Sequence, residues 1–363
     1  MRVPETFQDE HTGAASAARE AVVFDIGGTH FRCARWSPES GVRRMWSKPS
    51  PSVLVHPDAG ADELRTRLID EICAGVGQEK GTTAGISLGA ALDQRSGVVY
   101  ASAPLWGDSV TRFDLLAGLR ERRPDVDWHL VNDVTAALLG LGETPRFDGF
   151  RRLLLVTVSS GIACRLVDRR LRTIPVDVCG LQGEIGHIPS GTTLAGNRVE
   201  LNCDCGSPDH LAAFASGPGI RRLAERLREL EPRRCAVSPL FDEDIEFEST
   251  FRRLLDDDDP LAREILDAAT SPLADVLRTA WCLDPSIDRI ALTGGVVDGL
   301  GEHYHRALAE RLTRDGVYLT SRFHPEWLAE RLVRCDSSEA DGLVGAGVAA
   351  VGSGRSARIG VES

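Results

Sequence analysis

Two hydrophobic periodicities alternate along the chain. Val22–Asp25 and Phe31–Trp36 carry the short apolar or alternating pattern of strands, and Glu63–Val76 (ELRTRLIDEICAGV) repeats its apolar positions at helical spacing. TAGISLGAAL predicts a further strand ending in small residues, and FDLLAGLRERR a helix. WHLVND predicts a strand that closes on polar residues, with VTAALLGLG opening a helix behind it. RRLLLVTVSSGIACRLV predicts two strands around a Ser-Ser-Gly turn. Helix then dominates: GPGIRRLAERLREL, PLAREILDAATSPLADVLRTAWCL and GEHYHRALAERLTRDG are amphipathic. IDRIALTGGVV sets a strand directly before Gly294-Gly295, and ADGLVGAGVAAVG predicts a last helix of small residues. This alternation is that of an α/β protein. Each half opens on a glycine-turn hairpin, Val22–Trp36 and Leu153–Val167, as two similar lobes would. FDEDIEFESTFRRLLDDDDP reads as a solvated surface segment.

Composition narrows the possible partners. The 363 residues are 42% hydrophobic, enough for two cored lobes, and 42 basic against 54 acidic side chains give a net charge of −12. That balance argues against nucleic acid or an anionic membrane as the main partner, since both need a basic footprint. No apolar run of about 18 residues exists. The opening MRVPETFQDEHTGAASAARE has no apolar signal core and reads as a polar leader, which makes the cytoplasm the expected location. The nine cysteines are odd in number and mostly set in apolar stretches, as at Cys73, Cys164 and Cys282. That predicts reduced, buried thiols rather than a disulfide framework, with Cys203 and Cys205 the exception.

Candidate chemistry begins in the first hairpin. VVFDIGGTHFRCARW places Asp25, Gly27, Gly28 and Thr29 in a turn that alternation alone would form. Glycines let a backbone approach an anion closely, and a threonine adds a hydroxyl donor. An acid there would repel phosphate unless a cation mediates, so Asp25 fits a ligand, through water, of the Mg2+ that accompanies ATP. A plain hairpin with an incidental acid fits the same residues. A P-loop is excluded, because no Gly-x-x-x-x-Gly-Lys-Ser/Thr occurs. Asn132-Asp133 closes a strand, where an acid serves equally as a helix N-cap or as a general base.

The ordered set DIGGT, LVNDVTAALLGL, SSGI, GEIGH, CDCG, ASGPGI and LTGGVV resembles the ROK family of sugar kinases and repressors, within the actin-like ATPase superfamily, over about residues 21–352. The resemblance implies an actin-like (ribonuclease H-like) fold of two lobes with the active site in the cleft between them. It implies an N-terminal lobe at 21–133, a C-terminal lobe at 134–337 and a helix at 338–352 packing back on the first lobe, between a leader (1–20) and a flexible tail (353–363). By the same resemblance Asp25, Gly27, Gly28 and Thr29 hold Mg2+ and phosphate. Ser160 and Gly161 form a second phosphate turn, where the family usually has Gly-Thr-Gly, and Gly217, Gly219, Gly294 and Gly295 lie near the nucleotide. Asp133 matches the catalytic base, while Asn132, Glu184 and His187 match residues that hold the sugar. A homodimer is also implied.

His187, Cys203, Cys205 and His210 are a donor set suited to tetrahedral zinc. The family resemblance strengthens this, with one departure: the family has one His and three Cys, and His210 stands here for the third Cys. A closed structural zinc site is therefore expected. Further departures gather on the acceptor side. Ala212 stands where the family has a sugar-holding glutamate, Gly89-Ala90 replaces Pro-Gly, and Leu105 replaces a common asparagine. Such a retuned acceptor half is similar to that expected of C7-cyclitol kinases, which are ROK relatives. The expected activity is thus ATP-dependent phosphorylation of a small polyol, a C7-cyclitol or related carbocycle. An ordinary hexose or N-acyl-hexosamine kinase and a catalytically inactive sugar sensor are the alternatives. A DNA-binding repressor of the family is not expected, because about 20 polar residues before the first strand are too few for a helix-turn-helix domain.

Overall fold

The computed structural model describes residues 20–109, 111–169, 173–175, 183–352 and 360–362. The first sheet has the order β3-β2-β1-β4-β5, from β1 (Ala21–Ile26), β2 (His30–Ser37), β3 (Gly41–Pro49), β4 (Thr83–Leu88) and β5 (Asp127–Asn132). Strands β1 to β3 are antiparallel, whereas β1, β4 and β5 run parallel, joined through α1 (Ala61–Val76) and α2 (Leu115–Arg122). Helix α3 (Asp133–Gly142) starts directly at the end of β5.

The second sheet repeats that pattern. It is built from β6 (Arg152–Val158), β7 (Ile162–Asp168), β8 (Thr173–Pro175), β9 (Arg289–Thr293), β10 (Leu332–Arg334) and β11 (Gly360–Glu362), in the order β10-β9-β6-β7-β8-β11. Here too a hairpin, β6–β7, flanks strands that run parallel, β6, β9 and β10. Helices α4 (Gly217–Leu230), α5 (Phe247–Asp256), α6 (Pro260–Leu283), α7 (Gly295–Leu300) and α8 (Glu302–Asp315) belong to this half, and α9 (Gly342–Val351) follows it.

Period-2 alternation divides the core. On β1, Val22, Phe24 and Ile26 face the first lobe's own core, while Ala21 and Val23 face a central layer. On β6, Leu154, Val156 and Val158 face the second lobe's core, while Leu153 and Leu155 face the same central layer. The apolar faces of α3 and α9 fill that layer between the two sheets. Helix α9 packs against β1, β4 and α3.

Four expectations change. The leader lies outside the described residues except Glu20, and so does tail segment 353–359, but Gly360–Glu362 of that tail forms a parallel strand on β8. The acidic stretch contains α5, whose Phe251, Leu254 and Leu255 are buried. The eight described cysteines are free, yet Cys282 is exposed and Cys73 and Cys164 are only half-buried. Leu105 is completely buried in the first lobe's core, so its identity reflects packing there rather than an acceptor contact.

Candidate active site

Strand register places the partners of Asp25. It stands opposite Arg32 on β2 and Ser87 on β4. The Ser87 hydroxyl donates to Asp25 Oδ1 at 2.6 Å, and the Arg32 guanidinium donates to Oδ2 through Nε at 3.0 Å and through a terminal nitrogen. Arg32 also reaches Asp341, 3.2 Å away. These contacts hold the carboxylate in place and suit it to bind Mg2+ through water rather than directly.

The turn beyond β1 is held from behind. The Gly27 N–H donates to the His30 carbonyl at 3.1 Å, the Ser50 hydroxyl donates to the Gly27 carbonyl at 2.6 Å, and the Ser52 hydroxyl donates to the Gly28 carbonyl. A Cβ on Gly28 would stand 2.7 Å from Pro104 Cβ and 2.9 Å from its carbonyl oxygen. A Cβ on Gly27 would meet no protein atom within 4 Å, and the same holds at Gly161. The hairpin thus needs glycine at 28 for packing, while the open faces of Gly27 and Gly161 suit close approach of a phosphate. Thr29 is exposed, its hydroxyl 2.9 Å from His30 Nδ1.

Asn132 is the N-cap of α3, and Asp133 is its first residue. Asn132 Oδ1 accepts from the backbone N–H groups of Val134 (3.0 Å) and Thr135 (3.3 Å), capping α3, and its Nδ2 donates to Ala90 O (3.0 Å) and Asp133 Oδ1 (2.8 Å). Those bonds engage its amide inside the protein, so in this geometry Asn132 positions Asp133 rather than reaching for an acceptor. Asp133 keeps an exposed edge at the start of α3, although its carboxylate is surrounded by many protein atoms. Burial within the surrounding protein, then the nearby Asp25 charge, push its pKa up to about 6, with Glu184 adding to the rise and the Val134 N–H and Arg165 opposing it. The Cβ position on Gly89 lies 3.5 Å from Asp133 Oδ2 and 3.8 Å from Gly27 Cα, so the Asp133 carboxylate and the Gly27-Gly28 turn flank the same residue. Burial also raises the pKa of Glu184, against the charges of Arg165 and His187.

A cavity of about 790 Å³ opens beside the second hairpin turn, within the range of small-molecule pockets. Ser160, Gly217 and Gly295 line it, together with Phe247, Glu248 and Arg252. Gly294 (φ 106°) packs against the Val158 carbonyl, where only glycine combines that conformation with that proximity. Gly219 is likewise packed, 2.8 Å between its Cβ position and the carbonyls of Ala212 and Ala213. Arg221 lies over the Phe247 ring (4.9 Å) and pairs with Glu248 (2.7 Å). The acidic stretch therefore supplies a pocket wall as well as solvated surface.

His187, Cys203, Cys205 and His210 come together, with all their donor atoms within 4.8 Å of one another. Cys205 Sγ is 3.2 Å from His210 Nδ1, Cys203 Sγ is 3.9 Å from His187 Nδ1, and the imidazole rings are nearly perpendicular. Zinc bonds of about 2.0–2.3 Å arranged tetrahedrally need donor separations close to these. The Ser207 backbone N–H, followed by contacts to His187 and Cys203, pushes the Cys205 thiol down to about 6, toward the thiolate a metal requires. The residues present fit a closed Cys₂His₂ zinc site. Ala212 sits under the same loop, 3.4 Å from the Cβ position of Gly186.

Sequence reasoning passed over Arg32, Arg165 and the α5 wall of the cavity. Arg165 had a signal, a lone charge inside an apolar strand. Arg32 had one in hairpin register.

Known proteins resemble this chain over most of its length. It is 52% identical over 335 residues to a 2-epi-5-epi-valiolone 7-kinase of Actinoplanes sp., covering 92% of this chain and 93% of that protein. Among crystal structures, a ROK hexokinase from Thermus thermophilus superposes with a TM-score of 0.66 at 24% identity, over 91% of this chain and 97% of that one. A ROK family glucokinase from Streptomyces griseus, in complex with glucose and AMPPNP, gives 0.65 at 20% identity, over 91% and 99%. The two-lobed architecture is accordingly the actin-like ATPase fold, and the enzyme class is ATP-dependent sugar or cyclitol kinase. Residues 22–350 match the ROK family model, and the chain belongs to the ROK family.

Proposed function

We propose that the protein transfers the γ-phosphoryl group of ATP to a hydroxyl of a C7-cyclitol, with the exocyclic 7-hydroxyl of 2-epi-5-epi-valiolone as the acceptor. The observation that carries this reading is the juxtaposition at Gly89. An accessible carboxylate with a pKa near 6 stands beside a glycine turn whose open face suits phosphate. The extensive identity to the Actinoplanes kinase supports the acceptor class.

The chain's residues divide the work. Asp133 accepts the proton of the acceptor hydroxyl as its oxygen bonds to phosphorus and the bond to ADP breaks. Gly27, Gly28, Thr29, Ser160 and Gly161 cradle phosphates, and Gly217, Gly219, Gly294 and Gly295 shape the nucleotide pocket. Asp25 would help hold Mg2+, which when bound would supply charge stabilisation at the transferring group. Glu184 and His187 bind acceptor hydroxyls, and Asn132 orients the base. His187, Cys203, Cys205 and His210 would hold one structural zinc, tying the Glu184–His187 loop to the Cys203–His210 segment. A cytoplasmic homodimer completes the reading. No described helix is long and apolar enough to cross a membrane.

The test is ATP consumption with mass detection of product over 2-epi-5-epi-valiolone, glucose and N-acyl-hexosamines. Turnover on the cyclitol above the sugars supports the proposal. Turnover on glucose alone assigns an ordinary hexokinase, and ligand binding without transfer to any of them assigns a sensor.

A further inference from the structure

Arg165 lies on β7 and is only 2% exposed, yet it joins the two halves of the acceptor site. Its Nε donates to Thr135 Oγ1 (3.3 Å), one terminal nitrogen to Asn132 Oδ1 (3.3 Å) and the other to the Cys164 carbonyl (3.0 Å). Asn132 and Thr135 bracket Asp133 at the start of α3. On the opposite side the Glu184 loop rests on the same side chain. Gly183 has φ 85°, and a Cβ there would stand 2.6 Å from the guanidinium. The Cys164 N–H donates to the Gly183 carbonyl at 2.7 Å, fixing the loop to β7. Burying a guanidinium is expensive, and a buried charge is retained where its hydrogen bonds set a geometry.

We propose that Arg165 is a positioning residue for phosphoryl transfer, holding the turn that carries Asp133 and the loop that carries Glu184 in fixed relation so that the acceptor hydroxyl meets the base. The inference rests on the kinase reading above. Electrostatics agree with the geometry: the Arg165 charge favours the ionised forms of both carboxylates, against burial at each and against Asp25 at Asp133. The nucleotide cavity is lined by other residues, so the effect of Arg165 belongs to the acceptor side.

The test is steady-state kinetics with MgATP and 2-epi-5-epi-valiolone on the zinc-loaded wild type, Arg165→Ala, Arg165→Lys and Thr135→Val. Arg165→Ala lowers kcat on the order of 10²-fold, the scale of an ångström of misplacement, and raises the acceptor KM. The KM for ATP stays within about twofold. Low-millimolar guanidinium restores part of kcat in Arg165→Ala. Arg165→Lys keeps the charge without the planar fork and stays impaired. Thr135→Val removes one bond of the network and gives a smaller loss with the same split; it decides the matter if Arg165→Ala does not fold. Variants with kcat and both KM values unchanged would overturn the role of Arg165, as would equal rises in the two KM values without guanidinium rescue. No product from the wild type would overturn the acceptor reading, and the role of Arg165 with it.

Discussion

Asp133 titrates where the reaction can report it. With a pKa near 6 the carboxylate is about nine-tenths ionised at pH 7 and about one-tenth at pH 5, whereas an aspartate at its ordinary 3.8 would be more than nine-tenths ionised at both. A base must be ionised to act. The acceptor kcat/KM at saturating MgATP should therefore fall about tenfold from pH 7 to pH 5, with an acid limb near 6. A carbon-13 titration of labelled aspartate in nucleotide-free protein, compared with Asp133→Asn, separates this group from the titration of ATP itself.

Stability should move in the opposite sense to activity. Because the folded pKa lies above the unfolded value of 3.8, the stability that Asp133 contributes is fully present below pH 4 and is lost as pH rises through about 6. Asp133→Asn keeps the Oδ1 that Asn132 and the Val134 N–H address while removing a charge that faces Asp25 and Glu184. It should melt above wild type at pH 7.5 and level with it near pH 4, while turnover drops by roughly 10²–10⁴-fold. An acid limb near pH 4, near-wild-type turnover in the variant, or a lower melting temperature at pH 7.5 would refute the reasoning.

Three further outcomes follow from the site. Gly28→Ala should lower the melting temperature, since its Cβ meets Pro104 and Leu54, by about 1–3 kcal/mol of overpacking in a denaturant titration; Gly27→Ala should melt normally and raise the KM for ATP, because its Cβ enters open space. Metal analysis should find about one zinc per chain, and stripping it, or His210→Ala, should lower the melting temperature and raise the acceptor KM more than the KM for ATP. Phe247→Ala should raise the KM for ATP up to about tenfold, with the acceptor KM unchanged in the same assay.

The legible parts of this protein are those where chemistry depends on neighbours in sequence. The Gly-Gly turn, the Asn-Asp pair at a strand end and the Cys-x-Cys knuckle are local in sequence, and His210 joins them through a backbone bridge to Pro189, 21 residues earlier. Strand and helix positions followed from periodicity for the same reason. What escaped depends on how distant segments meet. Leu105 occupies a motif position, but its backbone turns the side chain into the core. The α5 segment is acidic in bulk, yet its single apolar stripe seals against the second lobe and leaves Phe247 and Glu248 on the cavity. Composition averages over that stripe. Arg165 and Arg32 act on residues presented by neighbouring strands and loops, so their partners become visible only once register and packing are known.

The small residues of the last helix connect these distant parts. On α9, a Cβ at Gly342 would lie 2.7 Å from Asp25 Cγ, one at Gly345 would overlap the Ala136 carbonyl of α3, and one at Gly347 would overlap the Trp36 ring. The facing positions are small in turn: a Cβ on Gly140 would stand 2.6 Å from the Asp341 carbonyl, and one on Gly85 would overlap that of Ala346. Backbone thus rests on backbone, which only glycine permits. Asp341 accepts from the Leu343 N–H to cap α9 and pairs with Arg32, which holds Asp25. At the other end of the same contact, α3 begins with Asp133. The run of glycines and alanines is therefore the reason that the Asp25 carboxylate on β1 and the Asp133 carboxylate at the start of α3 keep a fixed spacing. A methyl group added at Gly345 would force α9 away from α3 and disturb Asp25 and Asp133 together, which couples the packing of this helix directly to transfer.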